Sequence, residues 1–173
     1  MSRHLARGTF VTLMLATIGA PDLSACGDKF LLVGRSLRYK QAFASTHPSS
    51  IVAYAASGSP VGELVNQQGF AALLTFAGHN VRVVDSTKAL GQALNNSRVD
   101  LVLADVQNGP ELQRGLAGVR SHPLLVPIVF NASRSASASV EQQYGCVIRI
   151  PSRAIDALAA VEEAVKLHTR QTR

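Results

Sequence analysis

From Ser50 onward the chain alternates short apolar runs with amphipathic stretches. The runs are Ile51 to Ala56, Val81 to Asp85, Asp100 to Asp105, Leu124 to Phe130 and Cys146 to Ile150. They are rich in Val, Ile and Leu, and two of them, VDLVLAD and LLVPIVF, lack the polar alternation of a half-exposed strand. Such strands suit a parallel sheet covered on both faces. Between them, Val61 to Phe76, Thr87 to Asn95, Glu111 to Arg120, Ser135 to Tyr144 and Ser152 to His168 carry helical character. The last of these sets Leu158, Val161 and Val165 on one stripe, with Glu162, Glu163 and Lys166 mostly off it.

Boundary signals agree with this division. Ser59 precedes Pro60 at a first-turn position, Gly78 follows the first helical stretch, and Ser86 and Ser152 stand where side-chain caps are expected. Five strand–helix units in strict order predict an α/β fold, a doubly wound (βα)5 flavodoxin-like three-layer sandwich around a mainly parallel five-stranded sheet. It would occupy residues 50–169, with 170–173 as a basic tail. Right-handed crossovers bring any ligand to the C-terminal ends of the strands. The Ser/Ala-rich stretch Ala132 to Ser139 reads as a loosely held fourth helix.

At 173 residues and 47% hydrophobic content, the chain has material for one domain with a core and an N-terminal extension of different character. Arg3, His4 and Arg7 precede an uncharged, mostly apolar run, Thr9 to Ala20, which Pro21 and Asp22 end well short of the roughly 20 residues a spanning helix needs. This is the layout of a signal peptide. A buried first helix is the alternative, against which the basic-then-apolar asymmetry argues.

Leu23-Ser24-Ala25-Cys26 then resembles the lipobox of bacterial lipoproteins. An ordinary signal-peptidase cut after Ala25 would want a small residue where Leu23 stands, so the lipobox is the better fit. The resemblance implies removal of residues 1–25 and acylation of Cys26. The mature protein would then be exported and membrane-anchored, facing the periplasm. Gly27 rather than aspartate after the cysteine favours the outer membrane over the inner. Residues 26–49 read as a tether with a short strand or turn around Phe30 to Val33, closed by His47-Pro48-Ser49-Ser50. Cys26 and Cys146 are the two cysteines, and an exported protein could pair them. A lipidated Cys26 instead leaves Cys146 as a small buried hydrophobe.

Charge changes the picture little. Lys and Arg number 17 against 11 Asp and Glu, and loss of Arg3, Arg7 and Asp22 with the signal leaves 15 against 10. The excess sits at the ends, in Lys29, Arg35, Arg38 and Lys40 and in Lys166, Arg170 and Arg173. These are basic flanks on a neutral domain, either solvated or in contact with lipid headgroups. No aromatic-interleaved basic strand or recognition helix is visible, so no nucleic-acid partner is expected.

The stretch VRVVDSTKALGQALNNSRVDLVLADV, followed by Pro127 to Phe130 and by Arg149 to Pro151 before a helix, resembles the receiver domain of two-component response regulators over about residues 50–168. The resemblance places Asp105 at the phosphoacceptor position. That chemistry also needs an acidic pair after the first strand, a hydroxyl after the fourth and a lysine after the fifth, to hold Mg²⁺ and the phosphoryl oxygens. Here the corresponding residues are Ala55 and Ala56 with Ser57, then Ala132 with Ser133 one place late, then Ile150. The receiver pattern is degenerate, and Asp105 is expected to cap the Gly109-Pro110 turn or the following helix.

A second candidate is the small-residue loop Ser57-Gly58-Ser59-Pro60-Val61-Gly62, which with Asp105 could take a small ligand or nucleotide, although it lacks phosphate-loop spacing. No nucleophile elbow is present, and no catalytic residue is assigned. The histidines, His4, His47, His79, His122 and His168, are scattered without ligand spacing and read as solvated loop groups, so neither a metal nor another cofactor is expected. The composite expectation is a non-catalytic, lipid-anchored envelope protein acting through an unknown protein partner. A ligand-binding module comes second and an active cytoplasmic receiver third.

Overall fold

A computed structural model of the chain describes residues 44–66 and 69–172. The signal, Cys26 and most of the tether lie outside the described residues, as does Arg173. The elements run β1 (Ser50–Tyr54), α1 (Pro60–Asn66), α2 (Phe70–Phe76), β2 (Asn80–Val84), α3 (Thr87–Asn96), β3 (Leu101–Asp105), a 3-10 turn (Val106–Asn108), α4 (Gly109–Leu116), β4 (Leu124–Phe130), α5 (Arg134–Tyr144), β5 (Ile148–Ile150) and α6 (Ala154–Gln171). All strand pairs are parallel and the order is β2-β1-β3-β4-β5. This is the expected flavodoxin-like three-layer sandwich.

The strands explain the layers. Side chains alternate across a strand, so Ile51, Ala53, Leu101, Leu103, Val126, Ile128 and Ile148 share one face, packed against α1, α2 and the Leu158, Val161 and Val165 stripe of α6. Val52, Tyr54, Val84, Val102, Ala104 and Leu125 share the other, against Leu90 and Ala93 of α3, Leu112 and Leu116 of α4 and Tyr144 of α5. All five residues of β3 are buried, as befits the middle strand, whereas β2 at the edge buries only Val84 fully.

Pro127 sits inside β4, where a missing N–H ordinarily disrupts a ladder. Leu124 N donates to Asp100 O at 2.9 Å and Asn131 N to Ile150 O at 2.7 Å, so even-numbered residues of β4 address β3 and odd-numbered ones address β5. Pairing with β5 starts one residue later, at Ile128 opposite Ile148. The proline therefore occupies a position where no ladder bond is due.

Several expected boundaries are corrected. The helix expected over Val61 to Phe76 is two, Pro60–Asn66 and Phe70–Phe76, and the second is preceded by Gly69, whose φ of +68° lies in the left-handed region that glycine tolerates. Ser152 does not cap the last helix: α6 starts at Ala154, with Arg153 at its N-cap making no side-chain cap bond. At that end Arg153 and Asp156 form an exposed ion pair, Nε to Oδ2 at 2.8 Å. The third helical stretch starts earlier and ends earlier than expected, at Gly109–Leu116. The Ser/Ala-rich stretch lies at the start of α5, where Ser133 Oγ accepts from Ala136 N at 3.2 Å and Ser137 is fully buried. At the start of α4, a Cβ on Gly109 would lie 2.5 Å from Tyr144 Oη, so the buried tyrosine of α5 occupies the space a side chain would need.

Residues 44–49, the end of the expected tether, bond to the domain. Ser45 N donates to Ala77 O at 2.7 Å and Asn80 N to Ser49 O at 2.9 Å, and Ser49 is buried.

Truncating the two-sided core should be costly where the sheet is central and cheap at its edge. Ile128→Ala is expected to lower unfolding free energy by about 2–5 kcal/mol, and Val83→Thr, at a position 40% exposed, to change it by about 0.5 kcal/mol or less. Urea denaturation of both variants checks this, and equal losses would contradict the layer assignment.

Candidate functional site

The C-terminal edge of the sheet, where a doubly wound fold receives ligands, is built from strand ends that carry few chemical groups. Asp105 closes β3 and is only 5% exposed. Its Oδ1 accepts a hydrogen bond from Gln107 N at 2.8 Å, which makes it the cap of the 3-10 turn. Asp105 is a capping carboxylate, but of neither expected element: it caps the 3-10 turn Val106–Asn108, while α4 begins at Gly109 with Asn108 at its N-cap and no side-chain cap bond. Around it, Pro60, Phe130, Ala132 and Val140 line a small cavity of about 200 Å³. Ser133, one place beyond Ala132, spends its hydroxyl on Ala136 N of α5.

The loop after β1 forms a self-contained turn. Ser59 N donates to Ala56 O at 2.9 Å, Gly62 N donates to Ser59 Oγ at 3.1 Å, and Gly58 has φ of +73°. A Cβ on Gly62 would approach Ala56 O at 3.3 Å, so the helix start lies close under the strand end. Ser57, Gly58 and Ser59 line an open cleft with Glu63 and Asp85, and Asp105 lines a different cavity. The structure thus does not bring the loop residues and Asp105 into one site. The Gly62 amide already has an acceptor in Ser59 Oγ, and the charged groups lining the cleft are carboxylates, which opposes an anionic ligand.

The opposite edge holds polar chemistry that the sequence reading missed. His79 and His168, expected to be solvated, are each only 3% exposed. Glu162 of α6 is the hub of one cluster: its Oε1 accepts from Ser45 Oγ and from Thr46 N at 3.1 Å and lies 4.0 Å from His79 Nε2, while Oε2 lies 3.9 Å from His47 Nδ1. Asp100 is the hub of another: Oδ2 accepts from Ser50 N at 2.8 Å, and Oδ1 accepts from Arg98 Nε at 3.2 Å and lies 4.0 Å from His168 Nδ1. His168 was legible in principle, since it continues the Leu158, Val161, Val165 stripe at helical spacing. His79 was not, because its cover comes from α6 and from the segment before β1.

Burial lowers the pKa of His79, with the Glu162 charge opposing that shift. Cys146, expected as a small buried hydrophobe, is 5% exposed and its thiol donates to Ala160 O at 3.3 Å. Burial, reinforced by the charges of Glu141 and Glu163, pushes that thiol up to about 11. Among the described residues no cluster of three or more His, Cys, Asp or Glu could hold a metal ion, and no helix is long and apolar enough to cross a membrane.

No protein-family model and no curated protein matches the chain, so the functional reading rests on its residues.

Two outcomes follow. An unfolded-state histidine takes up a proton near pH 6.5, while folded His79 resists protonation. The stability this contributes is complete above about pH 6.5 and is lost as pH falls through the lower folded-state value. The urea midpoint of the wild type should therefore drop between pH 7.5 and 5 more than that of His79→Phe, and parallel profiles would contradict the linkage. Cys146 should resist alkylation at pH 8 in the native protein and react in urea, as read by peptide mapping. Equal rates in the two states would show that the thiol is accessible.

Proposed function

We propose that this chain is a non-catalytic, lipid-anchored cell-envelope protein whose degenerate receiver-like domain works through protein contacts. The observation that carries the reading is the state of Asp105: buried, bonded to Gln107 N, and in a cavity with Ala132 where phosphotransfer would want a hydroxyl. The bond to Gln107 N takes Oδ1, and phosphotransfer to the other oxygen would still need groups to hold a metal and the phosphoryl oxygens beside it. Ala55 and Ala56 at the end of β1 and Ile150 at the end of β5 supply neither the acidic pair nor the lysine. What remains is a rigid scaffold with surfaces, and surfaces are what a partner reads.

The anchoring part rests on the Leu23 to Cys26 lipobox pattern. An exported domain is out of reach of cytoplasmic phosphoryl donors, so the address and the stripped site agree with each other. An acyl chain on Cys26 would contribute about 0.8 kcal/mol per buried methylene to membrane affinity. The ligand-binding alternative has less support, because the cleft at Ser57 to Ser59 faces its occupant with Glu63 and Asp85.

Two measurements test the proposal. Metabolic labelling with a fatty-acid analogue should mark the wild type and not Cys26→Ala, and an unlabelled, soluble wild type would remove the anchor. Incubation with Mg²⁺ and a small phosphoryl donor should leave Asp105 unmodified by mass spectrometry, and an aspartyl phosphate there would restore the active receiver.

A further inference from the structure

Charge is sorted between the clefts at the two edges of the sheet. At the C-terminal edge the clefts are lined by carboxylates without a basic partner: Glu63 and Asp85 beside the first loop, Glu63 between α1 and α6, and Asp105 beneath α5. At the N-terminal edge the order is reversed. A broad cleft between the ends of α3, α4 and α6 is lined by Arg98, Arg120 and His122 with the hydroxyls of Ser97 and Ser121, and a smaller one across α6 by His47, Lys166 and Arg170. Neither of these has a carboxylate in its lining. The nearest ones are Asp100, which accepts from Ser50 N as well as from Arg98 Nε, Glu162, which accepts from Thr46 N and Ser45 Oγ, and Glu163, whose Oε2 lies 3.9 Å from Lys166 Nζ. The Arg98 side chain stays 77% exposed even with its bond to Asp100.

Helix polarity accounts for part of this sorting. The C-termini of α3, α4 and α6 end at this edge, and their partial negative charge favours cations there. That effect neutralises helix ends; it does not require donors lining clefts with no carboxylate among them. The chain also enters the domain here, through Ser45 N to Ala77 O and Asn80 N to Ser49 O. Whatever fastens the chain upstream of residue 44 draws this edge toward it.

We infer that the N-terminal edge of the sheet is a docking surface for an anionic lipid bilayer, with Arg98, Arg120 and Arg170 contacting headgroup phosphates. The inference builds on the lipid-anchor reading. An acyl chain holds the domain near the membrane, and the basic clefts set its orientation, turning the carboxylate-lined clefts of the C-terminal edge outward. Each arginine close to an anionic surface strengthens binding several-fold, and the effect fades within a Debye length, so position matters as well as total charge.

The test uses the full chain carrying Cys26→Ala, so that no acyl chain contributes and the result stands apart from acylation. Partition onto vesicles of pure phosphatidylcholine is compared with partition onto vesicles containing about one third phosphatidylglycerol. Anionic vesicles should be preferred, and R98Q/R120Q/R170Q should lower partition onto them on the order of 100-fold. K88Q/R134Q/R149Q, which removes equal charge elsewhere, should change it about threefold or less. R98K/R120K/R170K should keep the binding, which separates lost charge from lost folding. The inference is overturned by no preference for anionic vesicles, by equal losses in the two glutamine triples, by failure of the lysine triple to bind, or by tight binding to duplex DNA without binding to vesicles. Loss of acyl labelling at Cys26 in the separate experiment would remove the anchor and leave this vesicle result standing.

Discussion

The burial of β3 on both faces governs the architecture. Leu101, Val102, Leu103 and Ala104 are all fully buried, two facing each layer. A strand without a polar face cannot lie against water, so helices have to cover both sides, and only crossover connections can place them there. Parallel pairing fits that requirement, and the β2-β1-β3-β4-β5 order places β3 at the centre of the sheet. Even Pro127 conforms, placed where β4 has no bond to give to β5.

The parts of this fold that could be read from the residues are those set by local periodicity. Apolar runs located all five strands, and β4 agrees residue for residue. The α6 stripe and the Ser86 cap are likewise local, and both are present. What escaped depends on groups distant in sequence or on a single backbone angle. The start of α2 needs one residue with positive φ, Gly69, in an otherwise helical stretch. The sites followed the same division. Asp105 was readable as a cap because Gln107 is its neighbour, whereas the Glu162 hub joins α6 to Ser45 and Thr46 at the other end of the domain. The Gly-His-Asn context of His79 looks like a solvated turn until that cover is in place.

In a parallel α/β sheet every helix runs against the strands, so helix N-termini collect at one edge and C-termini at the other. The two edges differ electrically before any side chain is considered. This chain adds carboxylates to the clefts at one edge and guanidinium groups to those at the other. It spends the half-buried acids of the basic edge, Asp100 and Glu162, on holding its own segments together.

The closeness of Gly109 to the Tyr144 hydroxyl ties two positions into one unit of substitution. A larger residue at 109 can be accommodated only if the ring at 144 gives way, and a smaller residue at 144 opens a hole that a side chain at 109 could fill. In a diverged copy of this domain the two sites should therefore change as a pair, leaving the contact between the start of α4 and the end of α5 recognisable after the individual residues are gone.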